Sequence, residues 1–313
     1  MNLKVMAAAT LAACATIPLA THAQPTPAPT STGTGRYPAM HEELPSLPNH
    51  VVYRPANLAA LGHTKLPVYV WGNGGCSADG TSSRNHLLEI ASHGYLVIAA
   101  GTIPKQPAAP RPAPPAAGQN DAARPPAGPL PAATTTSLLS DAIDWAIAED
   151  GRKGSPFARR IATNRIAVSG WSCGGLQALN VAPDPRVRTA VMMNTGFFAA
   201  GGSPITGIAN DKATLAKLHT PVLYVLGGPT DIAYANGMDD FKRISAVPAA
   251  VINIPVGHTG TYFEANGGLA AQLVTSWLDW QLKGDKAAAQ RFTGANCGYC
   301  SDNRFTLERK NFN

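Results

Sequence analysis

The chain has 313 residues, of which 45% are hydrophobic and 14% charged, and it carries a formal net charge of +6. This length is enough for one large domain with a full hydrophobic core, or for two small ones. The basic residues are scattered, and their densest group, GRKGSPFARRIATNR at 151–165, lies between a predicted helix and a predicted strand. Such a group is typical of a solvated loop, so the composition argues against a nucleic-acid partner.

The first 23 residues have the pattern of a secretory signal peptide. Lys4 precedes the apolar run VMAAATLAACATIPLA, which is too short to span a bilayer, and small residues precede a cleavage site after Ala23. The alternative is a lipid anchor on Cys14, at the end of LAAC. The apolar run continues past Cys14, which favours ordinary cleavage. We therefore expect a secreted or periplasmic protein, monomeric and without a stable membrane partner.

Two proline-rich tracts interrupt the chain. Residues 24–48 are rich in Pro, Thr and Gly, and this composition predicts a flexible leader. Residues 104–133 have almost no large apolar side chains and many prolines, so they cannot form a core. A loop of this length inside a domain predicts either a lid or a disordered insert.

Between these tracts, strand and helix patterns alternate. Seven short runs rich in β-branched residues end in glycine or a turn and predict strands: HVVYRP, LPVYVWG, YLVIAAG, RIAVSG, VRTAVMM, PVLYVLGG and AAVINIPVG. Apolar stripes or helix-forming composition predict helices at 135–150, 174–182 and 267–285. This alternation predicts an α/β domain over residues 49–285, with a mostly parallel central sheet and helices on both faces. Residues 286–313 are expected to form a short appendage closed by a cystine.

The stretch from Gly170 to Gly174, GWSCG, matches the pattern G-x-S-x-G. It follows a predicted strand and precedes a predicted helix, which is the setting of a nucleophile elbow, where glycines permit a strained turn that exposes the serine. Ser172 is therefore the candidate nucleophile. The pattern alone also occurs by chance, and the flanking strand and helix are what favour the catalytic interpretation.

A serine hydroxyl needs a base to take its proton and an acid to orient that base. His258 follows a late strand, whereas His86, His93 and His219 are expected at surface or packing positions. Asp231 lies just beyond the preceding strand, with Asp239 and Asp240 as less favourable alternatives. The order Ser172, Asp231, His258 is that of the α/β-hydrolase triad.

Two backbone amides are expected to stabilise an oxyanion beside Ser172. One belongs to Cys173, the residue after the nucleophile, and the other to Asn73 or Gly74 in the loop WGNGGC. This loop lacks the Lys-Ser/Thr ending of a phosphate-binding loop, and no cluster has metal-ligand spacing. We expect neither a cofactor nor a metal.

The segments GWSCGG, LLEIASHGYLVIAAG, TPVLYVLGGPTD and the final GH together resemble the secreted cutinase-like and polyester-hydrolase-like branch of the α/β-hydrolases over residues 50–285. The dienelactone-hydrolase-like branch is similar, but its nucleophile is a cysteine. The resemblance implies the α/β-hydrolase fold and a serine ester hydrolase, with the triad and oxyanion residues above. Polyester hydrolases commonly carry aromatic residues where this chain has Asn73 and NTGFF. Trp171, Phe197 and Phe198 are the expected substrate contacts.

Four cysteines follow the signal peptide: Cys76, Cys173, Cys297 and Cys300. They allow three pairings. If the amides of the two predicted oxyanion loops converge, Cys76 and Cys173 lie close enough to pair, which leaves Cys297 with Cys300. Free cysteines are the alternative. The sequence therefore predicts hydrolysis of small or polymeric carboxylic esters, with a serine peptidase and a non-catalytic binding protein as the other interpretations.

Overall fold

The computed structural model describes residues 31–105, 130–199 and 203–312. The predicted signal peptide at 1–23, Cys14, the first residues of the predicted leader and the centre of the proline-rich insert lie outside these ranges. In the described ranges, no helix is long and apolar enough to cross a membrane.

Within the described residues, nine strands form one sheet, in the order β1-β2-β4-β3-β6-β7-β9-β10-β11. Their bounds are β1 Ala39–Leu44, β2 Leu47–Pro55, β3 Leu66–Gly72, β4 Leu96–Ala100, β6 Ile161–Trp171, β7 Val187–Met193, β9 Val222–Leu226, β10 Ala249–Asn253 and β11 Thr306–Lys310. The six strands from β4 to β10 in this order run parallel, and the pairs at both edges are antiparallel. Two further short strands, β5 Leu130–Pro131 and β8 Ile205–Thr206, pair with each other.

In the part of the chain that the structure describes, six α-helices accompany the strands: α1 Arg84–Ser92, α2 Ser137–Gly151, α3 Cys173–Val181, α4 Tyr234–Arg243, α5 Gly268–Lys283 and α6 Lys286–Phe292. Successive side chains of β3 show how the sheet is covered. Val68 and Val70 pack with α2 and α3 on one face, whereas Tyr69 and Trp71 pack with α1 and α5 on the other. All four side chains are fully buried. The predicted α/β architecture, with a mostly parallel sheet between helices, is confirmed.

The predicted flexible leader at 24–48 is wrong for its described part. Strand β1 pairs antiparallel with β2, and Ala39 is buried at the start of that pairing. Before it, Thr34 donates from its backbone amide to Glu89 on α1 (2.8 Å), and the Tyr37 amide donates to the Ser92 carbonyl (2.9 Å). These backbone hydrogen bonds order the segment without a large apolar run, which is why its composition concealed the strand.

The C-terminal segment 286–313 is also more than an appendage. Strand β11 extends the sheet beyond β10, and Phe292 of α6 is fully buried against Trp277 and Trp280 of α5. The segment therefore completes one edge of the sheet and part of one core face. Cys297 and Cys300 are joined within it, as expected.

Candidate active site

A sharp turn between β6 and α3 carries Ser172. The strand ends at Trp171 and the helix begins at Cys173, so Ser172 alone makes the turn, with φ 54° and ψ −117°. This backbone conformation is strained for a residue with a side chain. A Cβ atom on Gly170 would lie 2.3 Å from the Gly174 carbonyl oxygen, so the turn closes only with glycine at that position. This is the geometry expected of a nucleophile elbow.

His258 lies in the loop after β10, and its ring bridges the serine and an acid. Its Nε2 atom is 2.9 Å from the Ser172 Oγ, and its Nδ1 atom is 2.6 Å from Oδ1 of Asp231. Asp231 lies in the loop after β9 and is buried. Because β6, β9 and β10 belong to the same parallel set, their carboxyl ends bring together three residues that are distant in sequence.

The Asp231 carboxylate is almost fully engaged by donors. Oδ1 accepts the Ala233 amide (2.9 Å), and Oδ2 accepts the Gly227 amide (3.0 Å) and the side-chain amide of Asn194 (2.8 Å). Burial alone would raise the pKa of Asp231, but the hydrogen bonds from His258 and these donors outweigh burial and lower the pKa below its ordinary value. The carboxylate is therefore held in the ionised form that orients an imidazole.

Asn194 belongs to this network, and no motif in the sequence had indicated it. It directly follows β7 with φ 45°, and its side-chain oxygen accepts the hydroxyl of the fully buried Tyr262. That contact fixes which end of the amide faces Asp231. The signal that could have revealed Asn194 is its position, because it is a polar residue at the carboxyl end of a buried parallel strand.

The loop after β3 meets the elbow. An ideal Cβ on Gly174 would lie 2.0 Å from the Gly72 carbonyl carbon and 2.5 Å from the Asn73 nitrogen, so the two backbones are in direct contact. Cys76 and Cys173 form a disulfide with a Cα–Cα distance of 5.2 Å, the pairing expected from the sequence. The Asn73 side chain donates to the carbonyls of Ser77 (2.9 Å) and Ala100 (2.6 Å), which anchors the loop. The predicted oxyanion loop and the elbow are thus tied both covalently and by packing.

The remaining histidine and acid candidates have structural contacts. His86 is fully buried among Tyr69, Trp71 and Tyr262, and burial lowers its pKa to about 3. Burial raises the pKa of Asp240 to about 6, although Lys212 donates to its carboxylate at 2.7 Å. Asp239 pairs with Lys212 and Arg243. Neither alternative acid is bonded to His258.

A cleft of about 80 Å³ opens beside Ser172 and His258. Phe198 lines the cleft, but Phe197 is fully buried and donates its amide to Asp240, so the prediction of Phe197 as a substrate contact is wrong. Its ring packs into the core, and the hydrogen bond from its amide to the buried Asp240 holds it there. Trp171 packs beside His258 and donates its indole N–H to the His258 carbonyl (2.9 Å), which positions the loop that carries the base.

Exposed apolar side chains occur in the loops that carry Asp231 and His258, and one of them, Ile232, lines the cleft. Among the described residues, Ile232 is 80% exposed, and Phe263 and Val256 are 42% and 41% exposed. Ile232 follows Asp231 in the chain, Val256 lies two residues before His258, and Phe263 packs against Trp171 with ring centroids 5.8 Å apart. Apolar side chains gathered at a site are typical of surfaces that contact apolar ligands.

No protein-family model matches the chain, and no curated protein sequence matches it. In the described ranges, no group of three or more His, Cys, Asp or Glu side chains is placed to hold a metal ion.

Proposed function

We propose that this chain is a serine hydrolase of the α/β-hydrolase fold that cleaves carboxylic esters, related to the cutinase-like and polyester-hydrolase-like branch. The observation that carries the proposal is the hydrogen-bonded series Ser172 Oγ, His258 Nε2, His258 Nδ1 and Asp231 Oδ1, with separations of 2.9 and 2.6 Å. The strained elbow at Ser172 and the chain order of the three residues support the same fold family.

In the proposed reaction, Ser172 Oγ attacks the ester carbonyl while His258 Nε2 takes its proton. Asp231 remains ionised, orients the ring and stabilises the imidazolium. The carbonyl electron pair moves onto oxygen, where the Cys173 amide and the amide of Asn73 or Gly74 are proposed to donate. As the pair returns, the C–O bond to the alcohol breaks and His258 protonates the leaving oxygen. Water then attacks the acyl-enzyme by the same route and releases the acid.

The two disulfides fit an oxidising compartment, which agrees with the secretory signal predicted at residues 1–23. We therefore propose a secreted or periplasmic enzyme. Anchoring through Cys14 is the alternative, and membrane fractionation of a Cys14→Ser variant distinguishes the two. A soluble wild-type protein that fractionates like the variant supports secretion, and release of the protein by the substitution supports the anchor.

The direct test is hydrolysis of p-nitrophenyl butyrate by the wild type and by Ser172→Ala, with Ser301→Ala in the C-terminal segment as the matched control. Loss of the nucleophile is expected to reduce kcat by about 10⁴-fold or more, because the remaining residues only bind and polarise the ester. The control should match the wild type. Equal rates for Ser172→Ala and the wild type would support a non-catalytic binding protein instead. Faster cleavage of a peptide panel than of esters would support a peptidase.

The exposed apolar side chains favour a water-insoluble polymeric ester as a second candidate substrate. Ile232 lines the cleft, and Val256 and Phe263 lie in the loop that carries His258. Their burial against a polymer would contribute about 25 cal/mol per Å². The test compares soluble acid released from a polyester suspension by the wild type and by Ile232→Ser. A loss on the suspension that exceeds the loss on p-nitrophenyl butyrate supports the candidate, and an equal loss on both excludes it.

A further inference from the structure

The cleft beside Ser172 is small and has walls of opposite character. A volume of about 80 Å³ is several times what one water molecule needs, so the cleft can take a short acyl chain. Leu176, Ile205 and Phe198 supply apolar surface. Asn194, Thr195 and Asn236 are the polar side chains that share the lining with Ser172 and His258.

The donors of two of these polar side chains are already used by the protein. The Asn194 amide group donates to Asp231 Oδ2 and its oxygen accepts from Tyr262. The Thr195 hydroxyl donates to the Ser172 carbonyl (2.8 Å). Neither has a donor to spare for a ligand without breaking a contact that holds the elbow or the acid.

Asn236 differs from both. It lies in the first turn of α4 and is half-buried, and its side-chain amide hydrogen-bonds to no group in the part of the chain that the structure describes. Its backbone is held firmly, because a Cβ on Gly196 would lie 2.4 Å from the Asn236 carbonyl carbon. A side-chain amide with two free N–H groups and a free oxygen, on a closely packed backbone, therefore lines the pocket.

An acyl chain that fills this pocket displaces the water around Asn236. A purely hydrocarbon chain would leave the amide unpaired, which is unfavourable for a polar group removed from water. An acyl chain that carries its own oxygen would replace the lost hydrogen bonds. Sites built to hydrogen-bond a substrate discriminate strongly against analogues that lack the bonding group.

We propose that Asn236 is a specificity-determining residue that selects short acyl groups bearing an oxygen function, such as a hydroxyl or a second ester, as found in oligomers of hydroxy acids. This inference rests on the proposed ester hydrolysis at Ser172. It adds that the acyl side of the substrate is polar at one point, while Ile232 contacts its apolar portion.

The test uses methyl esters that differ by one hydroxyl: butyrate, 2-hydroxybutyrate and 3-hydroxybutyrate, followed by acid release at constant pH. For the wild type, kcat/KM for at least one hydroxylated ester should exceed that for butyrate by about tenfold. Asn236→Leu should reduce this ratio to about one, because leucine keeps the volume but removes both hydrogen-bonding ends. The matched control, Asn164→Leu, lies near the opposite end of β6 from Ser172 and should keep the wild-type ratio and rate.

The readout is a ratio within each variant, so a partly folded preparation lowers both rates and leaves the ratio interpretable. If Asn236→Leu yields no folded protein, Asn236→Ala is measured in the same way. A wild-type ratio near one, or an unchanged ratio in the Asn236 variant, overturns the proposal. If the wild type hydrolyses none of the esters, the proposed function fails instead, so the two failures are distinguishable.

A methoxy analogue identifies which end of the amide is used. The acyl chain of methyl 3-methoxybutyrate can only accept a hydrogen bond, so a preference for it over its carbon counterpart, methyl 3-methylpentanoate, requires the Asn236 N–H. Asn236→Asp, which as a carboxylate only accepts, should lose this preference. Retention of the preference in Asn236→Asp overturns the assignment to Asn236.

Discussion

At the scale of single residues, the proposed catalytic series depends on a side chain that does not touch the serine. Asn194 donates to one oxygen of Asp231 while His258 occupies the other. Tyr262, buried beneath, fixes the orientation of the Asn194 amide. The acid is therefore held from two sides, and Asn194 acts as a positioning residue.

Asn194→Leu is expected to lower kcat by about 10- to 100-fold, because Asp231 loses a donor worth about 1.5–3 kcal/mol and the His258 ring loses its fixed orientation. The acid limb of the pH–rate profile should also move to higher pH, because the Asn194 hydrogen bond is one of those that lower the pKa of Asp231. Steady-state kinetics over pH 5–9 check both effects. A parallel loss of stability with an unmoved profile would mean that Asn194 is only structural, and Asn164→Leu serves as the control.

His86 gives a second residue-scale prediction, on stability. Burial lowers its pKa to about 3, and the unfolded chain has an ordinary value of about 6.5. The unfolded state therefore binds more protons between these limits, so the free energy of unfolding should fall as the pH drops below about 6.5, by up to about 1.4 kcal/mol per pH unit. His86→Phe should flatten this dependence in urea unfolding followed at pH 4.5–7.5. The exposed His63→Phe should not, and an unchanged slope in His86→Phe contradicts the prediction.

At the scale of elements, the disulfide between Cys76 and Cys173 joins the loop after β3 to the first residue of α3. The two residues are 97 apart in sequence, whereas Cys297 and Cys300 are only 3 apart. On the chain-entropy account, a bond that closes the longer loop stabilises the fold more. The longer bond also fixes the relative position of the two proposed oxyanion donors.

The double variant Cys76→Ala/Cys173→Ala is expected to lose about 4 kcal/mol of stability and about 10- to 100-fold in kcat. The matched control, Cys297→Ala/Cys300→Ala, should lose about 2 kcal/mol and leave kcat unchanged. Urea unfolding and p-nitrophenyl butyrate hydrolysis at a temperature where both variants remain folded measure the two effects. An unaltered kcat in the first variant would show that this disulfide is not needed to position the proposed oxyanion donors.

At the scale of the whole molecule, the C-terminal segment is part of the core. Phe292 is fully buried and packs against Trp277 and Trp280. The segment also contains strand β11, which pairs with β10. Strand β10 in turn leads into the loop that carries His258. The segment therefore stabilises the side of the sheet from which the proposed base is presented.

Phe292→Ala should lower the free energy of unfolding by about 3–5 kcal/mol, as expected for a truncated core aromatic, while kcat per folded molecule stays near the wild-type value. Phe263→Ala, the same change at a 42% exposed ring, should leave stability within about 0.5–1 kcal/mol of the wild type. Thermal and urea unfolding check the contrast. Equal destabilisation by the two changes would contradict the assignment of the segment to the core.

The parts of the molecule that could be predicted from the sequence are those marked by a pattern within a short segment of the chain. The buried parallel strands are continuous apolar runs, and Ser172, Asp231 and His258 each follow one, so the geometry of the sheet brings them together. β1 and β11 escaped prediction because an edge strand is defined by the partner that it pairs with rather than by its own composition. Asn194 and Tyr262 escaped because their contact joins two loops that are 68 residues apart.

The spacing of the site along the chain has a consequence for biosynthesis. The proposed base lies 86 residues after the proposed nucleophile. The strands that precede them, β6 and β10, are not neighbours, because β7 and β9 lie between them in the sheet. Such non-local parallel pairing forms late in folding. Because synthesis begins at the N-terminus, Ser172 is expected to be an ordinary, unreactive hydroxyl until His258 has been added and the sheet has formed. The proposed ester hydrolysis is therefore expected only after the native sheet has formed, so the onset of activity would report the completion of folding.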